Sequence, residues 1–399
     1  MFHHTSVEIF RDNSELPQIR AIWESWHTHP NIDIDFYQTI LRERSEILRP
    51  HVMLARREGC PQAMLVGRIE RRHLAIKIGY LTLFQPNVRL LTLPFGGLLG
   101  RASDESCRAL VREVINSLRR GEADLALFEP VPTESPLYHC VQTSPAWFCK
   151  DYLHTSQIHR SMAVPDSVES FYASLSPKVR KNLKWQAKKL LNDFSGEVRI
   201  ACYCSPADLE VMIKDVESVA QKTYQRGLGV GFSNKSETRA RLKLEAEMGW
   251  LRGYVLYLAD KPCAFWLGTA YQRTFHSNFM GYDPAYANNS PGMFLVTKVL
   301  EGLCKQNGTG RPTQVDFGLG DAQYKKVLGT TSWEESGLYI FAPSLKGFTL
   351  NFLATSLGSL DRFARKLLDR TNLLGRIKNL WRKSARRTAA PHSGKEGSG

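Results

Sequence analysis

The sequence lacks the segments that would carry a protein into or across a membrane. No apolar run approaches the length of a membrane-spanning helix, and residues 1–10 lack the charged and then apolar order of a signal peptide. The eight cysteines are scattered along the chain, a pattern that favours a reducing compartment over a disulfide framework. We therefore expect a cytoplasmic protein.

The sequence also lacks cysteine and histidine residues at the spacing of a metal site. The chain holds no Cys-x-x-Cys pair and no His/Cys cluster at zinc spacing, so we expect no metal cofactor. Cys202 and Cys204 would share one face of a strand, because alternate side chains of a strand point the same way. Two small thiols packed in a core explain this pair more simply than a metal site does.

Acidic residues are outnumbered, which leaves a net charge of +14 that is unevenly distributed. Residues 361–387 contain ten Lys or Arg and two Asp, so eight of the fourteen charges lie there. Ser176 and Pro177 predict a helix start. Residues 176–189 contain six cations and no acid, with Arg180, Lys184 and Lys188 along one helix face. An anionic partner and an ordinary solvated helix face are both consistent with this second stretch.

The length of 399 residues exceeds the size at which a single hydrophobic core stops growing, so two domains are expected. Alternating strand and helix patterns predict an α/β (α+β) chain. We divide it into residues 1–155, residues 156–343 and a basic helical tail, residues 344–399, of which we expect the end from Ala389 to be disordered.

The first domain is predicted to open with a strand, two helices and a hairpin. The second helix is predicted over Phe36–Leu48, and the hairpin strands over Val52–Arg57 and Ala63–Glu70. Residues 135–153 are interpreted as an irregular join. The Pro/Gly turn at residues 94–97 lacks a Ser-Pro helix start, so we expect this domain to serve as a scaffold or as the acceptor side.

The second domain is organised around residues 279–341. Apolar patterning predicts three successive strands and then a helix and a short strand, in the order Tyr254–Ala259, Cys263–Tyr271, Thr274–Tyr282, Met293–Lys305 and Gln314–Phe317.

The start of that helix has the features of an anion site. Ser290 is suited to the N-cap, and Pro291 to the first helical position, where its missing N–H costs nothing. Gly292 would let another group approach the backbone. Free N–H groups and the helix dipole favour negative charge at such an end. An ordinary helix cap in an α/β domain is the alternative interpretation.

Several motifs in this region resemble one family in the right order. They are Gly281-Tyr282-Asp283-Pro284, Ser290-Pro291-Gly292 and Asp316-Phe317-Gly318-x-Gly320-Asp321-x-x-Tyr324-Lys325. They resemble the GNAT-superfamily acetyltransferases grouped with the CelD-type proteins of bacterial polysaccharide synthesis, which are relatives of the Fem-type peptidyltransferases. The resemblance covers Ser156–Phe341.

The resemblance implies tandem GNAT-like domains, each a mixed, mostly antiparallel sheet flanked by helices. It also implies that acyl-CoA binds in the second domain, at a splayed strand and the helix that follows. The implied cofactor-binding residues are Tyr282, Asn289, Ser290, Pro291, Gly292 and Met293.

Acyl transfer to an amine needs a held thioester, a donor to its oxyanion, a base for the amine proton and an acid for the thiolate. Backbone N–H groups near residues 279–282 could supply the oxyanion contact. Asp316, Asp321 and His276 are the candidate bases. Each has a structural alternative, because the two aspartates could cap the Gly318–Gly320 turn and the histidine could simply be packed.

Tyr324 and Lys325 correspond to an aromatic-Lys pair in the Fem-type proteins. The resemblance implies that Lys325 stabilises an oxyanion or a CoA phosphate, and that Tyr324 stacks on the donor or protonates the thiolate. The alternative is a surface lysine in a helix turn. The resemblance implies no role for Lys326.

Two further segments carry open interpretations. Arg226–Gly231 matches a pyrophosphate-binding pattern but follows a long helix instead of a strand, so we expect the loop to shape the acceptor pocket. From Leu345 a basic amphipathic pattern would lie on an anionic bilayer or dock onto the first domain. Its apolar positions are Leu360, Phe363, Leu367, Leu374, Ile377 and Trp381.

Three hypotheses follow for the function. The first is an acyl-CoA-dependent N-acyltransferase acting on an amino sugar, glycan precursor or small amine, cytoplasmic or peripheral at the inner membrane face. The second is a Fem-like aminoacyltransferase that uses aminoacyl-tRNA, for which the basic stretches would suit RNA. The third is a non-catalytic binding protein on the same fold.

Overall fold

A computed structural model describes residues 5–78, 81–223, 226, 231–308 and 310–370 of the chain. The described residues form two compact units. The first unit holds the residues up to His159 together with Leu319–Asp321 and Ser332–Lys366. Of the described residues, the second holds Arg160–Gly318, Ala322–Thr331 and residues 367–370.

The strands of the described residues are numbered β1 to β17 along the chain. They are β1 (Thr5–Phe10), β2 (Ile47–Pro50), β3 (Val52–Arg57), β4 (Cys60–Leu65), β5 (Arg68–His73), β6 (Ile76–Ile78), β7 (Leu81–Phe84), β8 (Asn87–Leu93), β9 (Leu98–Gly100), β10 (Leu125–Pro132), β11 (Ser156–Ala163), β12 (Val198–Tyr203), β13 (Leu251–Leu258), β14 (Lys261–Tyr271), β15 (Thr274–Tyr282), β16 (Gln314–Leu319) and β17 (Thr331–Phe341).

The α-helices of the described residues are numbered α1 to α11 along the chain. They are α1 (Arg20–Trp26), α2 (Ile34–Glu43), α3 (Asp104–Arg119), α4 (Pro136–Thr143), α5 (Val168–Ser174), α6 (Pro177–Asp193), α7 (Leu209–Ala220), α8 (Ser236–Glu247), α9 (Pro291–Lys305), α10 (Gln323–Leu328) and α11 (Leu345–Arg370). None of the helices that the structure describes is both long and apolar enough to cross a bilayer.

In the first unit, one sheet has the strand order β1-β3-β4-β9, and the strands β17, β10, β8, β5 and β2 are neighbours in that order in another. Helix α3 packs on β1, β3 and β4 and places Leu110, Val111 and Val114 in the core. Its start is held by a reciprocal pair of hydrogen bonds between Ser103 and Ser106.

Three predictions for this unit were wrong. The predicted helix over Phe36–Leu48 ends at Glu43, and Ile47–Pro50 is a strand paired with β5, in keeping with the extended conformation favoured before proline. The predicted strand over Ala63–Glu70 is two strands in different sheets. The break falls at Gly67, where a Cβ would lie 2.9 Å from the His51 carbonyl oxygen.

The third error concerns residues 135–153, which are not irregular. Helix α4 begins after Ser135, whose side-chain oxygen accepts a hydrogen bond from Tyr138 N at 3.2 Å. Pro136 stands at the first helical position. This is the same Ser-Pro start that predicted helices elsewhere in the chain.

In the second unit, the strands are neighbours in the order β12-β13-β14-β15-β16. All pairs are antiparallel except β15 and β16, which are parallel. Helices α5, α6 and α9 cover one face around Trp266, and α7 and α8 cover the other around Phe265. Because both faces of β14 are covered, its interior residues are apolar almost without alternation.

The predicted strands and the helix start of this unit are confirmed. The structure has strands at Leu251–Leu258, Lys261–Tyr271 and Thr274–Tyr282. Ser176 caps α6 by accepting a hydrogen bond from Val179 N, with Pro177 at the first helical position. Leu183 and Leu190 of α6 are buried, so this helix has the apolar side that the solvated-face interpretation required.

The tail begins by packing on the first unit. Lys346 Nζ donates to Asp124 Oδ2 at 2.7 Å, Asn351 Nδ2 donates to the Phe148 carbonyl oxygen at 2.8 Å, and Leu350 is buried. The docking interpretation is therefore confirmed for this part of α11. The predictions on Leu374, Ile377, Trp381 and the end from Ala389 lie outside the described residues.

Candidate active site

The site begins where two parallel strands separate. β15 and β16 pair at Thr274 with Gln314, Phe275 with Val315 and His276 with Asp316. Beyond these pairs, β15 continues to Tyr282 and remains paired with β14 on its other edge. In the part of the chain that the structure describes, β15 therefore has one edge without a neighbouring strand after His276. Peptide groups on such an edge can bond an extended ligand.

The start of α9 follows the end of β15 after one short 3-10 turn, Pro284–Asn289. Ser290 occupies the N-cap position as predicted, but its backbone is left-handed, with φ 50° and ψ 48°, and its side chain makes no capping hydrogen bond. The predicted hydroxyl cap is therefore wrong, because a capping residue normally has an extended backbone. Because the Ser290 hydroxyl does not cap them, the N–H groups of the first turn can donate hydrogen bonds to a bound anion.

Gly292 brings the helix start against the end of β15. A Cβ built on Gly292 would lie 3.3 Å from Cδ1 of Tyr282, so the ring passes close to the helix backbone. Tyr282 itself is 42% exposed. Of the six predicted cofactor residues, Tyr282 and the Ser290–Gly292 start are thus brought together.

The other two predicted cofactor residues are placed differently. Asn289 Nδ2 donates to Asp193 Oδ2 at 2.7 Å, so its side chain ties the turn to the end of α6. Met293 is half-buried and packs against the core of the second unit. Both support the shape of the helix start.

Two lysines that the sequence interpretation did not assign contact the turn before α9. Lys189 Nζ donates to the Asn288 carbonyl oxygen at 2.7 Å, and Lys222 Nζ lies 2.7 Å from Asp283 Oδ2. Helix α6 also packs directly on α9. The basic run of α6 was the signal for this, but only the tertiary packing shows that it lies beside the helix start.

Asp316, His276 and Lys325 form a cluster at the closed end of the splay. Asp316 Oδ1 accepts a hydrogen bond from Gly318 N at 2.7 Å, and Asp316 Oδ2 lies 3.4 Å from His276 Nδ1. The proposed turn-capping role of Asp316 is therefore present, while its second oxygen faces the histidine. Both side chains are largely buried.

Lys325 lies on α10 and is half-buried, whereas Lys326 is exposed. Lys325 Nζ is 3.4 Å from the Gly318 carbonyl oxygen. Burial lowers the pKa of Lys325, and the Asp316 carboxylate offsets this only in part. The surface-lysine interpretation therefore describes Lys326 and not Lys325.

The two remaining predicted catalytic residues differ in placement. The Tyr324 ring packs edge-on against Phe317, with ring centroids 5.9 Å apart, and so rests against the core of the second unit. Asp321 is exposed and belongs to Leu319–Asp321, which groups with the first unit. The cluster above does not include it.

The loop after α7 is described only at its ends. The Arg226 guanidinium donates to Glu217 Oε1 at 2.9 Å and to the Phe232 carbonyl oxygen at 2.6 Å. It thus ties α7 to the residues after the loop. The predicted acceptor-pocket role of this loop falls on residues 227–230, which lie outside the described residues.

Comparisons with known proteins identify the fold. Residues 177–326 match the family model described as the acetyltransferase (GNAT) domain. No curated protein matches the sequence. FemX superposes with a TM-score of 0.52 at 10% identity, over 82% of this chain and 96% of that one; at this identity the likeness shows the fold alone.

Two further solved structures superpose less closely. A tandem GNAT protein from the clavulanic acid biosynthesis pathway has a TM-score of 0.48 at 11% identity, over 85% of this chain and 99% of that one. A conserved Bacteroides thetaiotaomicron protein of unknown function has a TM-score of 0.49 at 9% identity, over 84% and 100%. The residues matched by the family model include the α9 start, Asp316 and Lys325, and this part of the chain accordingly has the GNAT fold.

Proposed function

We propose that this protein is an N-acyltransferase that moves an acyl group from acyl-CoA to an amine by direct attack in a ternary complex. The observation that carries the proposal is the splay of β15 and β16. Its closed end holds His276, Asp316 and Lys325, and the uncapped start of α9 follows the far end of β15. We assign the domain to residues 156–343 and the acceptor to an amino sugar, glycan precursor or other small amine, as in the CelD-type group.

The splay and the helix start fit the two ends of acyl-CoA. The unpaired edge of β15 offers peptide groups to the extended arm of the cofactor and to the thioester oxygen. The first turn of α9 offers N–H groups to the diphosphate. Lys189 adds positive charge at the preceding turn, beside which Lys222 is paired with Asp283. Bound acyl-CoA would supply the acyl group, and CoA would leave as a thiolate.

Each residue of the cluster is then assigned a different step of the acyl transfer. The amine attacks the thioester carbonyl carbon, and the carbon–sulfur bond breaks. We assign the amine proton to the pair of Asp316 and His276, which lie 3.4 Å apart. Lys325, held half-buried on α10, donates to the developing negative charge, and the Tyr324 hydroxyl is assigned to the departing thiolate.

A screen of acyl-CoA turnover tests this proposal. Full-length protein is incubated with acetyl-CoA and candidate amines, and free CoA thiol is measured for the parent and for Lys325→Ala and Asp316→Ala. We expect thiol release that depends on an amine and falls by about 10²-fold or more in both variants. Lys326→Ala is the matched control, since Lys326 is the exposed neighbour. Turnover equal in Lys325→Ala and Lys326→Ala would contradict the assignment.

A Fem-like transferase using aminoacyl-tRNA is the second candidate. The observation that favours it is the exposed face of α6, where Trp185 is 60% exposed among the exposed cations Lys181, Lys184 and Lys188. Exposed aromatic and basic side chains together suit nucleic acid. Thermal-shift titration separates the candidates: stabilisation by acetyl-CoA supports the first and by tRNA the second. Stabilisation by neither would favour a non-catalytic binding protein.

We further propose that α11 holds the enzyme at an anionic bilayer, near membrane-bound glycan precursors. Its outer face exposes large apolar side chains, with Leu345 89%, Phe352 62% and Phe363 64% exposed. The ten Lys or Arg within residues 361–387 supply the complementary charge.

Flotation with vesicles tests the bilayer proposal. We expect the protein to float with vesicles that contain anionic lipid and not with neutral ones. Phe352→Ser with Phe363→Ser should abolish flotation, whereas Trp147→Ser, at a site 71% exposed outside α11, should not. Equal flotation of the parent and the double variant would exclude this surface.

A further inference from the structure

Cys202 and Cys204 are placed differently from the core thiols that the sequence predicted. Both lie at the end of β12, which is the edge strand of the second unit. Cys202 is exposed and Cys204 is partly exposed, while Cys107, Cys140, Cys149, Cys263 and Cys304 are buried. The core interpretation was therefore wrong. Alternation along the strand puts Val198, Ile200 and Cys202 on one face, where Val198 and Ile200 pack against the core and Cys202 is exposed.

The two sulfur atoms are 3.3 Å apart. This is more than the length of a disulfide bond, about 2.05 Å, but the shift needed to close it is small. Cys204 follows the last residue of β12, Tyr203, so the strand ladder does not hold it. We propose that Cys202 and Cys204 are a dithiol that a peroxide oxidises reversibly to an intrachain disulfide.

The surroundings supply a reactive thiolate and a thiol to resolve it. A hydrogen bond from the Cys202 thiol lowers the pKa of Cys204 to about 6, helped by the nearby Arg252 and opposed by burial and by Asp208. The same hydrogen bond raises the pKa of Cys202. An accessible thiolate of low pKa beside a second thiol is the arrangement of cysteines that undergo reversible oxidation.

The reaction balances without a metal or cofactor. The Cys204 thiolate attacks one peroxide oxygen, the oxygen–oxygen bond breaks, and a sulfenic acid and hydroxide result. The hydroxide becomes water by taking up the proton that Cys204 released when its thiolate formed. The Cys202 sulfur then attacks the sulfenic sulfur, and a second water leaves with the Cys202 proton. Two thiols and one hydrogen peroxide thus give one disulfide and two waters. An external dithiol reverses the change by thiol–disulfide exchange.

The strand geometry predicts that this disulfide is easily reduced. Residues two apart on an ideal strand have Cα atoms about 6.6 Å apart, near the upper limit for a disulfide. Closure therefore bends the end of β12. A strained and exposed disulfide is the labile kind that cells form and reverse.

Intact-mass and peptide analysis after graded peroxide tests the proposal on the full chain. Iodoacetamide blocks the remaining thiols, and no acyltransferase activity is required. We expect the parent to lose two hydrogens through a Cys202–Cys204 link that dithiothreitol reverses. The higher thiolate fraction and the lower nucleophilicity of a low-pKa thiol largely offset each other, so we expect only about a few-fold faster loss than at the exposed Cys60.

Single variants distinguish the dithiol from general oxidation. In Cys202→Ser, the sulfenic acid on Cys204 should persist and be trapped by dimedone. In Cys204→Ser, no link should form and Cys202 should react slowly, while Cys60→Ser should behave as the parent. A parent in which both cysteines stay alkylatable at peroxide doses that oxidise Cys60, or pair with another cysteine, would overturn the proposal.

Discussion

The carboxylate of Asp316 lies 3.4 Å from Nδ1 of His276, at the last position where β15 and β16 are paired. The two side chains come from strands that are separated in sequence by α9. They meet because parallel pairing puts His276 directly opposite Asp316, immediately before the strands diverge. A base at this point would lie at the closed end of the splay, where we place the thioester.

Asp316→Asn separates the catalytic from the structural role of this residue. Its amide oxygen can still accept the hydrogen bond from Gly318 N, so the turn should persist and acetyl-CoA should bind as before. If the carboxylate is the base, amine-dependent CoA release should fall by about 10²-fold or more. Steady-state kinetics and acetyl-CoA titration measure the two effects. Full activity in Asp316→Asn would contradict the catalytic role and leave Asp316 with its role in the turn alone.

Lys325→Met tests the burial of the lysine through stability. Burial lowers the pKa of Lys325 below its ordinary value of 10.5, so the unfolded chain binds the proton more tightly than the folded one. Folding therefore carries a cost at neutral pH that disappears as pH rises through the folded and then the unfolded pKa. Lys325→Met should be more stable than the parent at pH 7, and this advantage should shrink towards pH 10.

Thermal unfolding at the two pH values checks this sign. Lys326→Met is the matched control, because Lys326 is the exposed neighbour on the same helix. A Lys325→Met protein that loses stability at pH 7 would mean that the ammonium group is well compensated in the fold.

Gly292→Val should obstruct the start of α9. The Cβ alone would lie 3.3 Å from the Tyr282 ring, and the further methyl groups would displace the ring or fill the space above the first turn. A side chain above the first turn would keep a diphosphate from its N–H groups, so we expect acetyl-CoA affinity to fall by about tenfold. Isothermal titration calorimetry measures it.

Gly302→Ala is the control for this helix. A Cβ there would meet nothing within 4 Å, so the variant should bind acetyl-CoA normally and gain up to roughly 1 kcal/mol of stability from helix propensity. If Gly292→Val bound acetyl-CoA as tightly as Gly302→Ala, the cofactor would not lie at this helix start.

Lys189→Met should weaken acetyl-CoA binding by about threefold to tenfold at low salt. The change removes a charge that is held beside the turn before α9 by its hydrogen bond to Asn288. Salt screens exposed charges, so the difference should shrink near 0.5 M salt. Lys181→Met, an exposed cation of the same helix, is the comparison. Equal losses in the two variants would indicate a diffuse electrostatic effect.

Local signals carried much of the fold prediction. The Ser-Pro pair at Ser176 and Pro177 predicted the start of α6, and apolar runs predicted β13, β14 and β15. These features depend on capping hydrogen bonds and on the hydrophobic periodicity of a few neighbouring residues, so they can be predicted from the sequence. The family resemblance drew attention to Asp316 and Lys325, whose roles stay predictions.

Other features could not have been predicted in this way. The Ser-Pro signal at Ser290 and Pro291 predicted the start of α9 correctly, but it did not reveal the left-handed backbone of Ser290 or its missing hydroxyl cap. Cys202 is exposed although Val198 and Ile200, on the same face of β12, pack against the core, a difference that depends on contacts with other elements. The contact of Lys189 with Asn288 joins residues almost a hundred positions apart.

The sequence by itself determined which segments become helices and strands in the second unit, and which residue types are available for acyl transfer. Short-range physics was sufficient for this, because capping and hydrophobic periodicity act within one or two turns. Only the tertiary structure decided that β15 and β16 stop pairing at His276 and Asp316, that Lys325 is half-buried, and that basic α6 lies beside α9. Those outcomes arise from packing between distant segments, in which many contacts act together and no local pattern records the result.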